Sequence, residues 1–241
     1  MAFALEKEMT PKMKDNVKEF LFKAISYQDD FIIAEELPVY YRMIDLVVAI
    51  IQDDEISSLL DSEYEKEFKY LDNNTLDILA LFSIFDEVTV NKVQKHIFMD
   101  RDKIVNCFEV LEKKNLILKI SRMKYTATNW RELVPKEIIA LELKLQKWQE
   151  ALEQAIFNKS FSDYSFVVLD KERVTKNNNM KEEYKRNNIG LILLDETGGF
   201  EIINIPKKNR GIQPNVYSYE KTRILKDVVN GYKWKKIGGR C

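Results

Sequence analysis

The residues best suited to chemistry are two charged side chains near the end of an otherwise apolar segment. Glu142 and Lys144 interrupt the apolar run at 138–145. Alternate residues of a β-strand share a face, so both charges lie on one face and the apolar residues on the other. Because burying a charge is costly without a partner, the pattern indicates a functional site. The alternative is an internal ion pair between Glu142 and Lys144.

Sequence context distinguishes this Glu-x-Lys tripeptide from the other copies in the chain. Three more copies begin at Glu67, Glu112 and Glu183, all in charged segments with helical spacing. The copy at Glu142 instead ends an apolar strand and precedes an amphipathic helix predicted at 147–158. We therefore treat Glu142 and Lys144 as the site residues.

A further carboxylate, Asp45, lies in a second segment with strand character. Residues 39–51 are rich in β-branched and aromatic side chains and are broken only by Arg42 and Asp45. With the segment at 31–36 they predict a hairpin that turns at Leu37 and Pro38. Asp45 is then either a site residue or a charge at a strand edge.

Composition restricts the chemistry that these residues could support. The chain has 241 residues, 45% hydrophobic and 32% charged, with one histidine and two cysteines. A lone His96 does not provide a histidine-based zinc site and makes Ser-His or Cys-His catalysis improbable. Cys107 and Cys241 are expected to be free thiols, since two cysteines make no disulfide framework. Catalysis would have to use carboxylates, lysine or a metal ion.

These elements together resemble the core of the PD-(D/E)xK nuclease superfamily. That core has a helix, a hairpin whose second strand carries an aspartate, a strand with Glu-x-Lys, a helix and a further strand. The resemblance implies that Asp45, Glu142 and the backbone carbonyl of Leu143 bind Mg²⁺ or Mn²⁺, hard cations that prefer oxygen ligands. It also implies that Lys144 orients or helps to deprotonate the attacking water, in hydrolysis that needs no histidine.

Two further positions enter through the same resemblance. Gln154 matches a glutamine that many relatives carry on the helix after Glu-x-Lys, where it lies near the site, whereas Asn158 replaces the tyrosine often found four residues later. Glu19, on a first helix predicted at 10–27, is a candidate extra metal ligand or a solvated acid, as Glu6 and Glu8 are expected to be. Ile44 stands where the proline that names the motif would precede Asp45.

A segment of different character separates the two halves of the predicted nuclease core. Helices at 76–85, 90–98 and 101–113, followed by strands near 116–120 and 124–128, resemble a winged helix-turn-helix. Such modules often bind DNA through the second helix of the turn motif. Five basic residues are predicted to contact phosphates: Lys113, Lys114, Lys119, Arg122 and Lys124. Acidic residues on the third helix instead favour a protein-contact or dimerisation role, so both alternatives remain open.

The C-terminal segment is strongly basic. Residues 205–241 hold ten basic and two acidic residues, a local charge of +8 in a chain of net charge -1. The segment is either a polyanion-binding tail, with Lys207, Lys208 and Arg210 as nucleic-acid contacts, or a solvated extension. Its aromatic residues, Tyr217, Tyr219, Tyr232 and Trp234, are compatible with nucleic-acid contact and equally with the docking of a terminal helix.

The whole sequence predicts an α/β fold with two domains and a mixed sheet flanked by helices. A discontinuous nuclease-like core is expected at 1–70 and 135–205, an inserted winged-helix domain at 71–134 and a basic extension at 206–241. No apolar run approaches the roughly 20 residues that span a bilayer, and the N-terminus lacks a targeting pattern, so a cytoplasmic location without membrane contact is expected.

The predicted function is metal-dependent hydrolysis of DNA, with DNA as the expected partner. A homodimer or a larger complex formed through the winged helix is a further expectation. The alternative function is a non-catalytic, DNA-binding transcriptional regulator built on a nuclease-like fold.

Overall fold

The structure is a computed structural model that describes residues 2–28, 30–51, 54–55, 57, 64–174, 178–210, 214–231 and 234–237. Along the chain, the α-helices are α1 (Met9–Asp15), α2 (Val17–Ile25), α3 (Tyr64–Lys69), α4 (Asn73–Ile84), α5 (Val90–His96), α6 (Arg101–Lys113), α7 (Trp148–Asn158), α8 (Asn178–Arg186) and α9 (Pro214–Val229). The strands are β1 (Phe31–Val39), β2 (Arg42–Ile50), β3 (Val88–Thr89), β4 (Ile117–Ser121), β5 (Lys124–Ala127), β6 (Glu137–Lys144), β7 (Tyr164–Asp170), β8 (Gly190–Leu194), β9 (Phe200–Asn204) and β10 (Trp234–Ile237).

The chain divides into two compact units. Unit 1 comprises residues 1–49, 137–212 and 235–241, and unit 2 comprises 50–136 and 213–234. The predicted boundaries at 70 and 135 therefore differ from those in the structure, because residues 50–70 belong to unit 2. The tail at 206–241, predicted as a separate extension, is shared between both units.

Unit 1 is built on a seven-stranded sheet with the order β10-β1-β2-β6-β7-β8-β9. Parallel pairs β6–β7 and β7–β8 are followed by the antiparallel pair β8–β9, so the sheet is mixed. The side chain of Asp45 on β2 accepts a hydrogen bond from the backbone N–H of Leu143, and the carbonyl of Ile50 accepts one from the backbone N–H of Lys136. The later residue of β2 thus contacts the earlier residue of the partner segment, as expected if β2 and β6 are antiparallel. The predicted α/β class, a mixed sheet flanked by helices, is confirmed.

Helices cover both faces of this sheet, as the alternation of β7 side chains requires. Val167 and Leu169 pack with α7 and α8 in one apolar cluster that includes Ala155 and Tyr184. The intervening Phe166 points to the other face, where its ring packs against that of Phe20 on α2 with the ring centroids 4.8 Å apart. These contacts bury both faces of the sheet at β7, the strand that pairs with β6.

Two predicted elements of unit 1 differ from the structure. The first helix is split into α1 and α2 at Asn16, whose amide donates to the carbonyl of Lys12. The hairpin turns at Tyr40 and Tyr41, with Tyr40 at a positive φ of 54°. The prediction of a turn at Leu37 and Pro38 is wrong, because β1 continues through both residues to Val39.

Unit 2 contains the predicted order of three helices and a hairpin. Helices α4, α5 and α6 are followed by β4 and β5, and β3 joins them in a three-stranded sheet of order β3-β5-β4. Asp72 caps α4 through the N–H of Thr75, and Thr89 caps α5 through that of Lys92. The sequence prediction missed the two-residue strand β3.

Helix α9 changes the interpretation of the basic C-terminal segment. This helix packs on α3 and α4 within unit 2. Lys221 donates to the carbonyl of Lys136, Lys226 donates to that of Leu71, and Arg223 pairs with Glu220 at 3.1 Å. Residues 214–229 are thus neither a free polyanion-binding tail nor a solvated extension, because three of their cations anchor a packed helix.

Two remaining expectations have simple outcomes. Cys107 is a free and buried thiol, whereas Cys241 lies outside the described residues. Among the residues that the structure describes, no helix combines the length and the apolar character needed to cross a membrane.

Candidate active site

Asp45 and Glu142 lie on the neighbouring strands β2 and β6 of unit 1. The Oδ2 atom of Asp45 accepts a hydrogen bond of 2.8 Å from the backbone N–H of Leu143. The same segment of β6 carries Glu142 and Lys144 on one face, so the sheet itself brings the three side chains together. Sheet pairing thereby joins residues that lie about a hundred positions apart in the sequence.

Glu142 is buried, with 2% of its surface exposed. Its Oε1 atom accepts a hydrogen bond of 2.8 Å from the amide of Asn158, at the end of α7. Sequence reasoning noted Asn158 only as a replaced tyrosine and did not include it in the site. The available signal was its spacing, because Asn158 follows Gln154 by four residues and so shares a face of α7 with it.

Lys144 contacts a different acid from the one expected. Its Nζ atom lies 3.3 Å from Oε2 of Glu6, in the short 3-10 helix Glu6–Glu8. The alternative in which Glu142 and Lys144 form an ion pair with each other is therefore wrong. Glu6, expected to be solvated, is the acid that reaches this site from the N-terminal segment.

Electrostatics shift the proton affinity of all three groups. Burial and the adjacent Asp45 raise the pKa of Glu142 to about 8. Burial also raises the pKa of Asp45, and the N–H of Leu143 opposes this only in part. Burial alone would lower the pKa of Lys144, but the carboxylates of Asp45 and Glu6 outweigh it and raise that pKa. Lys144 is thus a cation at neutral pH, beside carboxyl groups that hold protons more tightly than usual.

A cavity of about 240 Å³ opens at Asp45. It lies between the N-terminal segment, β1 and the end of β6, and its lining is rich in carboxylates: Glu6, Glu35, Glu36 and Asp45, with Lys7, Thr10, Pro11 and Leu143. Glu36 has a positive φ of 48°, unusual for a non-glycine residue within a strand. This local distortion of β1 occurs in the wall of the cavity, as backbone strain at functional sites often does.

The other predicted site residues fall in different places. Gln154 is partly buried on α7, and its Oε1 is a buried atom that lacks a hydrogen-bond partner among the described residues. Leu143 is buried and lines the cavity. Glu19 pairs with Lys23 one helical turn away, with 55% of its side chain exposed, and it does not line the cavity. Glu6, rather than Glu19, is the additional acid beside Asp45.

The donor set limits which metal ions the residues could hold. Within the described ranges, no three His, Cys, Asp or Glu side chains converge as ligands. Asp45 and Glu142 offer carboxylate oxygens, and Asn158 has a buried Oδ1 that lacks a hydrogen-bond partner in this part of the chain. Two carboxylates with water and substrate oxygens are a common set for Mg²⁺, which seldom has an all-protein cage. The residues present therefore fit Mg²⁺ or Mn²⁺ and do not fit a structural zinc site.

Two of the five residues predicted to contact nucleic acid in unit 2 form ion pairs within the protein. Lys114 pairs with Glu67 at 2.8 Å and Lys124 with Glu87 at 2.5 Å. Lys113, Lys119 and Arg122 are exposed. Only these last three present their charge openly to a partner.

The predicted contacts of the C-terminal segment lie in unit 1. Lys208 pairs with Glu137 at 2.6 Å and lies 3.4 Å from Asp163. Lys207 and Arg210 are exposed and border a second, larger pocket. Their charge is therefore available at a fixed place in the fold.

Comparison with protein-family models, with curated proteins and with solved structures gave no significant match.

Proposed function

We propose that this protein is a metal-dependent nuclease that hydrolyses DNA phosphodiesters at Asp45, Glu142 and Lys144, with a PD-(D/E)xK-like core. The observation that carries the proposal is the pairing of Asp45 with Glu142 on adjacent strands, next to Lys144 and an open cavity. Perturbed carboxylates in a cleft are typical of functional sites.

A divalent cation explains why two carboxyl groups with raised pKa values are retained here. Asp45 and Glu142 repel each other when both are ionised, and Glu6 adds to the negative potential at Asp45. Asp45, Glu142 and the carbonyl of Leu143 would hold Mg²⁺ or Mn²⁺. When bound, the ion supplies positive charge that neutralises phosphate oxygens and makes nearby water more acidic.

The remaining residues position the reacting groups. Asn158 fixes one oxygen of Glu142 through its hydrogen bond, and the N–H of Leu143 fixes Oδ2 of Asp45. Lys144 carries a proton at neutral pH, so its ammonium group is suited to orienting a phosphate oxygen or a water molecule. Glu6 holds Lys144 in place and must compete with the substrate for it. Gln154 offers an unsatisfied amide oxygen from α7.

We further infer that unit 2 is a winged helix-turn-helix that contributes DNA affinity. The order α4, α5, α6, β4 and β5, with β3 completing a small sheet, supports this interpretation. Lys113, Lys119 and Arg122 are exposed at the end of α6 and on the hairpin, where they suit phosphate contacts. Asp102 and Glu109 on the exposed face of α6 disfavour base reading by that helix.

A non-catalytic, DNA-binding regulator is the alternative. The pairing of Lys144 with Glu6 and of Glu142 with Asn158 favours it, because both groups already have internal partners. In that case the network would stabilise a degenerate nuclease fold, and metal ions would not affect its behaviour.

Cleavage of plasmid, short duplex and single-stranded DNA by the wild type and by Glu142→Ala tests the proposal. Mg²⁺, Mn²⁺ and EDTA are compared, and Glu150→Ala provides a control on the exposed surface of α7. We expect metal-dependent cutting by the wild type and the control, and a loss of at least about a hundredfold in Glu142→Ala.

DNA binding without cleavage in any metal would support the regulator instead. Cutting that survives Glu142→Ala would mean that another site, or a contaminant, is responsible. Circular dichroism of both variants establishes that they are folded before their rates are compared.

A further inference from the structure

Unit 1 contains a second pocket, of about 1030 Å³, that the nuclease proposal does not use. Its lining residues come from α2, β7, α8 and the segment after β9, and they are Ala24, Ile25, Tyr164, Lys185, Asn188, Asn204, Ile205, Pro206, Lys207, Lys208 and Arg210. The volume lies at the upper end of the range of ligand pockets, which is about 300–1,000 Å³.

The pocket and the candidate active site lie at opposite ends of the central strands. Tyr164, in the pocket, begins β7 and pairs with Ile139, whereas Lys144 pairs with Leu169 near the other end of the same ladder. Five residues of strand separate the two positions, or roughly 16 Å at about 3.3 Å per residue. The pocket is therefore a separate feature of unit 1.

Positive charge dominates this pocket. Lys185, Lys207 and Arg210 are exposed, and none of them has an ion pair within the part of the chain that the structure describes. Lys208 is neutralised by Glu137 and Asp163, at 2.6 and 3.4 Å. Three open cations around one concave surface favour an anionic ligand with several oxygens, such as a phosphate group.

The cations of the C-terminal segment are held by a fixed backbone. The side-chain amide of Asn188 donates to the carbonyl of Lys207 at 2.8 Å, and the Oδ1 atom of Asn188 accepts from the backbone N–H of Lys207, also at 2.8 Å. The side-chain amide of Asn209 donates to the carbonyl of Lys159 at 2.6 Å, and the backbone N–H of Asn209 donates to the carbonyl of Asp163. This double anchoring orders Lys207 and Arg210 before any ligand arrives, which reduces the entropic cost of binding.

An apolar wall faces the cations. Ala24 and Ile25 at the end of α2, with Ile205 and Pro206, form this wall. Ile205 is 52% exposed, so its side chain is available to a ligand. Apolar surface beside basic groups suits a ligand that joins a phosphate to an apolar or aromatic body.

From these features we propose that the pocket binds a phosphate monoester of nucleotide size, with Lys185, Lys207 and Arg210 on the phosphate and the apolar wall against the base. The source is either a free nucleotide or the 5′-phosphorylated end of a nucleic acid. The proposal does not depend on nuclease activity, because none of these residues touches the candidate active site.

Calorimetric titration of the full chain with adenosine 5′-monophosphate in EDTA tests the proposal. Adenosine, inorganic phosphate and paired oligonucleotides with 5′-phosphate or 5′-hydroxyl ends serve as competitors. The test variant combines Lys185→Gln and Arg210→Gln in one chain. The matched control is Lys66→Gln, which replaces an exposed lysine of unit 2. Glu142→Ala is titrated in parallel to separate this site from the proposed nuclease site.

We expect saturable binding of the nucleotide with a dissociation constant below about 1 mM. The double variant should weaken it at least about tenfold, since each cation makes a charge-assisted contact. Lys66→Gln and Glu142→Ala should bind as the wild type does. Competition by the phosphorylated oligonucleotide would identify a nucleic-acid end as the source, and its failure to compete would identify a free nucleotide.

Three results would overturn the proposal. They are an absence of saturable binding, equal displacement by adenosine, and affinity that is unchanged in the double variant. A failure of DNA cleavage with intact nucleotide binding would reject the nuclease proposal alone.

Discussion

Each unit contains a cluster of buried carboxyl groups with raised pKa values, but the two clusters have different partners. In unit 2, burial raises the pKa of Glu220 to about 7 and that of Asp77 to about 6. Arg223 pairs with Glu220 at 3.1 Å and lies 3.7 Å from Asp227. This cluster is enclosed where α9 packs on α4.

In unit 1, the carboxyl pair shares its nearby cation with a third acid. Lys144 contacts Glu6 at 3.3 Å and also attracts Asp45 and Glu142 through their charges, beside a cavity that Asp45 lines. A raised pKa alone does not identify a functional site, since burial raises the pKa of carboxyl groups in both units. An opening to solvent at Asp45, and a cation whose direct ion pair is with Glu6 rather than with either acid of the pair, distinguish unit 1.

The largest expected effect separates catalysis from stability. Lys144→Met should reduce the DNA cleavage rate by about 10²- to 10⁴-fold, because in the proposed mechanism the ammonium group acts on the reacting phosphate or water. Its free energy of unfolding should change by less than about 1 kcal/mol, since the pair with Glu6 is partly exposed. Cleavage rates and urea unfolding measure both quantities.

Lys147→Met is the control for this substitution. The Lys147 side chain is 70% exposed and pairs with Glu150 on the surface of α7. An equal loss of cleavage in both variants would remove the special role of Lys144.

Removing the cation of the other cluster should have the opposite consequence. Arg223→Met should lower the free energy of unfolding by about 3 kcal/mol at pH 7, because Glu220 and Asp227 lose their buried partner. The loss should be smaller at pH 5, where Glu220 is protonated. Urea unfolding at both pH values checks this. If Arg223→Met left the free energy of unfolding unchanged, the packing of α9 would not depend on the pair between Arg223 and Glu220.

The pH dependence of stability reports on Glu142 in unit 1. The folded pKa of Glu142, about 8, lies above the usual value of 4.5, so the folded state holds an extra proton between these pH values. The contribution of Glu142 to stability is therefore most favourable at low pH and falls as the pH rises toward 8. Glu142→Gln should remove this contribution, because the amide does not ionise, and urea unfolding of both proteins between pH 5 and pH 8 measures the difference.

Mg²⁺ should affect only one of the clusters. At pH 8 it should stabilise the wild type and Glu220→Gln but not Glu142→Gln, because a cation that binds the folded state shifts the equilibrium toward it. Thermal unfolding with and without Mg²⁺ measures this. Stabilisation of Glu142→Gln by the ion would place the metal elsewhere.

The smallest effect concerns the acid that holds Lys144. Glu6→Gln should lower the pKa of Lys144, because one of the three carboxylates that raise it is lost. The basic limb of the pH–rate profile should move to lower pH, and the rate at pH 7 should change by less than about tenfold. Glu8→Gln is the comparison, since Glu8 accepts from the N–H groups of Ala4 and Leu5 and a glutamine oxygen can still do so. An unchanged profile would show that Glu6 does not influence the site.

Much of unit 1 could be predicted because its apolar periodicity is strong. Strand β6 and helix α7 lie within one residue of their predicted ends, since apolar runs and an amphipathic stripe mark them. The hairpin turn was misplaced because Pro38 is usually a turn residue, whereas here it lies within β1. Helix α9 was predicted only as the alternative in which a terminal helix docks, because the basic and aromatic residues of the segment fit nucleic-acid contact equally well.

The candidate site was predictable in its central residues and not in its surroundings. Glu142 and Lys144 were identified by two charges in an apolar strand. Glu6 and Asn158 carry no such signal, because a charged residue near the N-terminus and an asparagine at a helix end are ordinary in sequence. Their roles depend on contacts across 138 and 16 positions of the chain.

The amino-acid pattern was enough to predict the α/β class of the chain and the alternation that places Glu142 and Lys144 on one face of a strand. Both depend on local periodicity, which each residue contributes in place. Only the tertiary structure decided that Lys144 pairs with Glu6, that Asn158 binds Glu142 and that the basic segment is divided between a packed helix and an anchored pocket. Long-range packing fixes these contacts, because burial and neighbouring charges are set by which strands and helices meet.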